Sequence, residues 1–361
     1  MNLDSPWLLP ASGLMIGILL GAIARHYRFC TLTALERHWY AEDSNGLRSW
    51  VLAATIAIIA TQGAIYLNII ALDESFYLIP RISIIGSIGG GILFGVGMAL
   101  VGTCGFGALV RIGGGSLQSL VVVVGIGLAA LSAQRGVLSI ARESLIEPLA
   151  LDMSTMGSQS IPSIVSSFAG PTLYWPTVLV CISLLLVWLF KDSRFRNSSK
   201  AILSGFLIGL CVALGWFATF LLSQHSYDLV QLESASFVLP PGQLVQTIIS
   251  GTAPIPDYGV GLVVGVVTGA LLTALWHRDI RWEACDDARE LRRHLGGALL
   301  MGAGGVLAAG CTLGQGVSAA SVLALSAPVV FLSICLGARI GLSWLLEGSP
   351  FSFLGWQQDS Q

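Results

Sequence analysis

Two cysteines lie in glycine-rich stretches inside otherwise apolar sequence. One stretch reads Val101-Gly-Thr-Cys-Gly-Phe-Gly-Ala108 and the other reads Ala309-Gly-Cys-Thr-Leu-Gly-Gln-Gly316. Glycine at this density weakens a helix by about 1 kcal/mol per residue and leaves backbone N–H groups accessible. Free N–H groups at a helix N-terminus favour anions. We therefore expect each helix to break at its cysteine, Cys104 or Cys311, and a short half-helix to follow.

A third cysteine, Cys30, follows a long apolar run and precedes the hydroxyl residues Thr31 and Thr33. Buried thiols are expected to stay protonated, and a neutral S–H group is a weak donor with a polarisable sulfur. Such groups suit a soft, sulfur-bearing anion and would release it quickly. The chain has seven cysteines, an odd number, and we expect free thiols rather than a disulfide framework. The other four fit ordinary buried residues: Cys181, Cys211, Cys285 and Cys335.

The candidate substrate pathway comprises the three cysteines and their glycine or polar neighbours, namely Cys30, Cys104, Cys311, Gly105, Gly107, Thr312, Gly314 and Gln315. Arg111 and Arg339 lie beside long apolar runs and could attract an anion, or their side chains could reach the membrane surface. Gln118 could line the path or only bridge helices. Four histidines fall in basic stretches and are expected to be solvated: His26, His38, His277 and His294.

A nucleotide-binding glycine loop is excluded for both cysteine stretches, because the glycine spacing is wrong and no lysine follows. Three thiolates could instead bind Cu(I), but the chain has only six methionines and no Met-rich or His-rich stretch. A membrane sulfurtransferase that forms a persulfide on Cys30 is a third possibility. Neither glycine–cysteine stretch contains the histidine or carboxylate base that such chemistry needs. We expect no enzyme activity, no cofactor and no resident metal.

The composition identifies the class of protein that must position these residues. Hydrophobic residues make up 54% of the 361 residues and charged residues only 11%, against about 25% in soluble domains. So few charges could not cover a soluble protein of this size. The net charge of −2 gives no basic surface for nucleic acid. The sequence predicts an all-α polytopic membrane protein.

Nine spans of roughly 20 residues are predicted, at 7–25, 48–72, 82–104, 117–135, 172–190, 201–222, 259–276, 294–311 and 318–345. Three short segments, 25–48, 191–200 and 278–293, hold 13 of the 18 Lys and Arg residues. The positive-inside rule places these segments in the cytoplasm and the N-terminus outside. The first apolar run lacks a preceding positive charge, so it is expected to be a membrane span rather than a signal peptide.

The chain contains an internal repeat at an offset of 207 residues. Gly89-Gly90, Gly95, Gly97, Cys104 and Gly107 match Gly296-Gly297, Gly302, Gly304, Cys311 and Gly314. Because the matching spans have opposite predicted directions, the repeat is inverted, as in many transporters. We expect one transporter domain over 1–361, with a first repeat at 1–135, a linker and central helix at 136–200, a second repeat at 201–346 and a tail at 347–361. Cys104 and Cys311 should then meet near mid-membrane.

The cysteine segments Phe29-Cys30, Gly102-Thr-Cys104-Gly and Ala309-Gly-Cys311-Thr, on a nine-span inverted repeat, resemble the YeeE/YedE family of sulfur-compound transporters. The likeness covers nearly the whole chain. It implies uptake of thiosulfate across the bacterial inner membrane, past three cysteines, through S–H hydrogen bonds and without a covalent intermediate. It also implies a small cytoplasmic sulfur-carrier protein of the TusA type as a partner. Some relatives are linked to other sulfur species or to selenium, so a selenium compound is an alternative substrate.

Overall fold

The computed structural model describes residues 7–225, 230–250, 257–285 and 287–350. The helices are α1 (Leu8–Tyr27), α2 (Thr31–Tyr40), α3 (Asn45–Tyr66), α4 (Ile84–Val101), α5 (Gly105–Gly113), α6 (Leu117–Arg135), α7 (Val137–Leu145), α8 (Ile161–Ala169), α9 (Tyr174–Phe190), α10 (Ser193–Arg196), α11 (Ser199–Ser223), α12 (Leu239–Ser250), α13 (Tyr258–His277), α14 (Ala288–Leu307) and α15 (Ser326–Glu347). Single 3₁₀ turns occur at Phe76–Leu78, Glu147–Leu149, Ser154–Met156 and Pro171–Leu173, and a π-helical stretch at Gly314–Ala319. Two short strands, β1 (Arg81–Ile82) and β2 (Leu151–Asp152), pair antiparallel.

Eight helical segments of the described chain are long and apolar enough to cross a membrane. This confirms the prediction of an all-α polytopic membrane protein. The predicted span 294–311 is not among the eight, because α14 begins with Arg289, Glu290, Arg292 and Arg293 and so carries too many charges. The predicted span 318–345 starts too early: α15 begins at Ser326, and the residues before it belong to a separate short helix.

Glycines let helices from the two halves of the chain pack in parallel pairs. A methyl group at Gly17 of α1 would lie 2.8 Å from the Gly265 Cα of α13. A methyl group at Gly205 of α11 would lie 2.5 Å from the Ser49 carbonyl oxygen of α3. Such close approach needs small residues at the contact. Each half therefore packs its first span against the second span of the other half.

The third spans of the two halves, α4 and α14, cross in opposite directions. A methyl group at Gly90 would lie 2.6 Å from the Gly304 carbonyl oxygen, and one at Gly97 would lie 2.5 Å from the Gly297 carbonyl oxygen. The contacts thus run antiparallel through the glycines of the sequence repeat. Together with the parallel pairs, this is the packing that an inverted repeat requires.

Ion pairs identify two ends of the bundle. At one end, here called the basic end, Arg25 pairs with Asp279 at 3.0 Å and Arg48 pairs with Asp192 at 3.3 Å. The opposite end carries the β1–β2 pair and an ion pair between Arg142 and Glu147 at 3.1 Å. The basic end brings together the three segments that the sequence predicts to be cytoplasmic.

Candidate functional site

The α4 helix breaks immediately before Cys104. Gly102 ends α4 with a φ of 79°, a left-handed conformation that glycine adopts without strain. Cys104 is then the N-cap of α5, and its Sγ accepts a hydrogen bond from the Gly107 N–H at 3.4 Å. The Thr31 hydroxyl donates to the same sulfur at 3.8 Å. The side chain of Cys104 therefore lies at a helix N-terminus inside the protein.

The second half of the chain repeats this break. Gly310 has a φ of 156°, and Ala309 before it has a φ of 54°. The Sγ of Cys311 accepts a hydrogen bond from the Gly314 N–H at 3.2 Å, at the start of the half-helix that contains the π-helical stretch. Both cysteines are only 1% exposed. The prediction of two helices broken at cysteines is confirmed.

The two half-helices run toward opposite ends of the bundle. The Gly114 carbonyl just after α5 accepts a hydrogen bond from the Arg281 N–H at 3.0 Å, at the basic end. The half-helix after Cys311 leads to Ala324, which bridges to Ser160 just before α8, on the opposite side. Both N-termini consequently point toward the interior, where their N–H groups give partial positive charge.

Cys30 adds a third helix N-terminus to this region. It is the N-cap of α2, is half-buried, and its Sγ lies 3.9 Å from the Thr103 hydroxyl oxygen. The side chain of Cys104 lies near those of both Cys30 and Cys311. The fold thus gathers three thiols that are far apart in the sequence, with Cys104 between the other two.

Phe237 also lies between the two half-helices, and no motif in the sequence pointed to it. Its ring packs against Phe106 with the centroids 5.1 Å apart, and its backbone N–H faces the sulfur of Cys311. The stretch before α12, residues 224–238, contains no Lys or Arg, so the positive-inside rule alone places it in an external loop. Its run of small residues ahead of a buried aromatic was the only signal that it enters the protein.

The predicted neighbours of the cysteines fall into two groups. Gly105, Gly107 and Gly314 lie in the first turns of the half-helices, and Thr312 is buried there with no hydrogen-bond partner for its hydroxyl among the described residues. Gln315 is fully buried and donates from Nε2 to the Ala308 and Ala309 carbonyls, at 3.0 and 2.9 Å. Gln315 therefore stabilises the backbone break that precedes Cys311.

The two predicted anion-attracting arginines lie in different places. The Arg111 side chain turns back to donate to the Gly102 carbonyl at 3.1 Å, at the end of α4 next to the cysteine loop. Arg339 lies over the rings of Trp39 and Tyr40, 4.0 Å from Glu347. The structure thus places Arg111, but not Arg339, beside the three-cysteine region.

The expectation that His294 is solvated is wrong. It is 4% exposed in α14, and its Nδ1 lies 2.8 Å from the Gln118 Nε2, which also donates to Glu290 at 2.7 Å. The charged first turns of α14 pack against α6, so the residue is covered despite its basic sequence context. Gln118 accordingly bridges two helices.

All seven cysteines are free thiols, as predicted. Over the described ranges, no group of three or more His, Cys, Asp or Glu side chains has an arrangement that could hold a metal ion. The arrangement that is present consists of thiols and hydroxyls at three helix N-termini. Such a set can donate weak hydrogen bonds to an anion and stabilise its charge without fixing it tightly.

The fold and the buried cysteine cluster define a polytopic α-helical membrane protein with a polar interior site. The chain belongs to the sulphur transport family, whose model matches residues 26–340. It is 26% identical to the thiosulfate transporter TsuA of Escherichia coli (strain K12), across 94% of this chain and 95% of that protein. It is 25% identical to the thiosulfate transporter TsuA of Spirochaeta thermophila, across 93% of this chain and 98% of that protein.

Proposed function

We propose that this protein takes up thiosulfate, or a closely related sulfur-containing anion, past Cys311, Cys104 and Cys30. The observation that carries the proposal is the position of Cys104, which lies near both other thiols at the meeting point of three helix N-termini. Two relatives of nearly full-length coverage are named thiosulfate transporters, which supports this choice of substrate.

The order of the three cysteines follows from their neighbours. Cys311 lies near Tyr77, which belongs to the stretch between α3 and α4 at the end opposite the basic end. Cys30 follows α1, which finishes at the basic end beside Asp279. If the basic end is cytoplasmic and the N-terminus external, the anion meets Cys311 first, then Cys104, then Cys30.

Passage needs sites that bind an anion weakly and in sequence. Thiols hydrogen-bond more weakly than hydroxyl or ammonium groups, and the S–H of each cysteine can donate to the terminal sulfur or an oxygen of the anion. The helix N-termini offset part of the cost of bringing the charge out of water. The anion moves from thiol to thiol by exchange of hydrogen bonds, and no covalent bond forms.

The two repeats, 1–135 and 201–346, form this path at their interface, with 136–200 as the connection. The tail 347–361 falls mostly outside the described residues.

The bacterial inner membrane is the proposed location. The basic end offers a surface for a TusA-type sulfur carrier that would accept the sulfur compound on the cytoplasmic side. A selenium compound is the alternative cargo.

Uptake of radiolabelled thiosulfate into proteoliposomes tests this proposal. Cys104→Ala and Cys311→Ala should reduce uptake to that of protein-free liposomes while the purified variants keep wild-type helix content, because each removes one thiol of the relay. Cys181→Ala is the matched control: its thiol lies on α9, outside the three-cysteine cluster, and uptake should be unchanged. Wild-type uptake by either pathway variant would refute the relay.

The mass of the protein, measured on the same samples, distinguishes transport from sulfur transfer. A sulfurtransferase that uses Cys30 would gain the mass of one sulfur atom after exposure to thiosulfate, whereas a transporter would keep its mass. Unlabelled sulfate and selenate, added as competitors, define the range of anions. We expect unchanged protein mass and weaker competition by sulfate, because sulfate has no soft terminal sulfur.

A further inference from the structure

Between α11 and α12 an extended stretch, residues 230–238, enters the protein interior. Most of its side chains are covered, and Ser234, Ala235 and Phe237 are at most 2% exposed. Side chains of neighbouring helices bond its backbone: the Thr219 hydroxyl donates to the Glu233 carbonyl and the Ser318 hydroxyl to the Ala235 carbonyl, each at 2.9 Å. These bonds hold the stretch, here called the inserted segment, against the half-helix of Cys311.

One acidic residue lies within the inserted segment. Glu233 is half-buried between fully covered neighbours, so part of its side chain reaches accessible space. The Gly259 N–H at the start of α13 donates to its carboxylate. Tyr258 precedes Gly259 in α13, and its hydroxyl is buried with no hydrogen-bond partner among the described residues. A carboxyl group and an unpaired phenol thus meet at the outer end of α13.

The inserted segment that contains Glu233 also contacts the residues around Cys311. Tyr77 lies near both Glu233 and Cys311, and its hydroxyl faces Ser236 of the inserted segment. A methyl group at Gly314 would lie 3.1 Å from the Tyr77 hydroxyl oxygen and 3.2 Å from the Ser236 hydroxyl oxygen. Tyr77 and Ser236 therefore lie together against the first turn of the Cys311 half-helix, and Glu233 is three residues before Ser236 in the inserted segment.

We propose that Glu233 is a proton-binding site linked to anion binding at Cys311, so that the anion binds tightly only when this carboxyl group is protonated. The inference rests on the proposed function. A dianion at Cys311 and an ionised carboxylate behind Tyr77 would repel each other in a partly dry site. The protonated carboxyl removes that repulsion and gains an O–H donor.

The surroundings of Glu233 set the pH range of this effect. Burial, followed by the negative charge of Asp257, raises the pKa of Glu233 to about 7, against a smaller opposite effect of the Gly259 N–H. Burial also raises the pKa of Asp257, whose charge is partly offset by Arg135. Among the described residues, the other titratable groups near Glu233 are the phenols of Tyr77 and Tyr258. Protonation of Glu233 is therefore nearly complete below pH 6 and largely lost above pH 8.

Calorimetric titration of the purified, lipid-reconstituted protein with thiosulfate measures this linkage. If only the protonated form binds tightly, the dissociation constant should be about tenfold larger at pH 8 than at pH 6. Thiosulfate itself remains a dianion over this range. At pH 7, binding should take up about half a proton per anion, measured from the heats in two buffers of different ionisation enthalpy.

Glu233→Gln mimics the protonated carboxyl and should bind thiosulfate with the same affinity at pH 6 and pH 8, with no proton uptake. Glu74→Gln is the matched control, because Glu74 is an exposed acid close in sequence to Tyr77, and it should keep the wild-type pH dependence. If the Gln variant does not fold, the proton count on the wild type decides alone. Wild-type binding that is pH-independent, or pH dependence that persists in Glu233→Gln, overturns the linkage but leaves thiosulfate transport intact. Absence of wild-type binding at pH 6 and at pH 8 overturns both.

Discussion

At the residue scale, the position of a thiol within a helix turn matters more than the thiol itself. Cys104 and Cys311 each accept a hydrogen bond from the N–H three residues later, which is the geometry of an N-cap side chain. Cys335 is half-buried in the middle of α15 and is therefore not at a helix N-cap. An N-capping thiol lies where the partial positive charge of the helix is greatest, so it can act on an anion together with the backbone.

The hydroxyl of Thr31 should orient the thiol of Cys104, because it donates to that sulfur at 3.8 Å and thereby leaves the S–H free to point elsewhere. Thr31→Val keeps the shape and removes the donor. We expect thiosulfate uptake to fall about fivefold, corresponding to one hydrogen bond of about 1 kcal/mol. Thr31→Ser keeps the donor and should retain wild-type uptake in the same proteoliposome assay. Equal rates for the Val and Ser variants would show that the bond has no part in transport.

At the element scale, adjacent glycines of the repeated motif have different surroundings. Gly90 faces α14, where a methyl group would lie 2.6 Å from the Ala308 nitrogen, whereas a methyl group at Gly89 would meet nothing within 4 Å. Gly297 and Gly296 repeat the difference in the second half. Only one glycine of each pair is needed for the antiparallel crossing of α4 and α14, and the crossing sets where the two broken helices meet.

Alanine substitutions at the adjacent glycines test this difference. Gly90→Ala should destabilise the protein by about 1–3 kcal/mol, because α4 and α14 must separate to admit the methyl group. Gly89→Ala should leave stability unchanged or raise it by up to about 1 kcal/mol, because alanine favours the helix. Thermal unfolding of the two purified variants in the same detergent measures the effect. Similar melting temperatures would contradict the packing described for α4 and α14.

At the scale of the whole molecule, the two ends of the bundle differ in their ion pairs and in their secondary structure. The basic end gathers the termini of α1, α3, α11, α13 and α14, and its arginines pair with Asp279 and Asp192. The opposite end carries α8 and the β1–β2 pair. We infer from the positive-inside rule that the basic end faces the cytoplasm.

Labelling with a membrane-impermeant maleimide tests this orientation. Phe168→Cys places a thiol on α8 at a position that is 76% exposed, and Trp282→Cys places one at the basic end at a position that is 78% exposed. In a Cys285→Ser background, the maleimide should label the first variant but not the second in intact spheroplasts. After lysis both should label. Labelling of Trp282→Cys in intact spheroplasts would reverse the topology and the order of the cysteines along the path.

The sequence alone determined the class of protein, the breaks at Cys104 and Cys311, and the opposed halves. Each of these depends on local composition: apolar length fixes a span, dense glycine breaks a helix, and a repeated register relates two segments. Only the tertiary structure decided that Cys30 joins the other two thiols and that His294 is buried. It also decided that the inserted segment brings Phe237 beside Cys311. These outcomes depend on contacts between residues far apart in the chain, and the periodicity of a single helix carries no information about its distant neighbours.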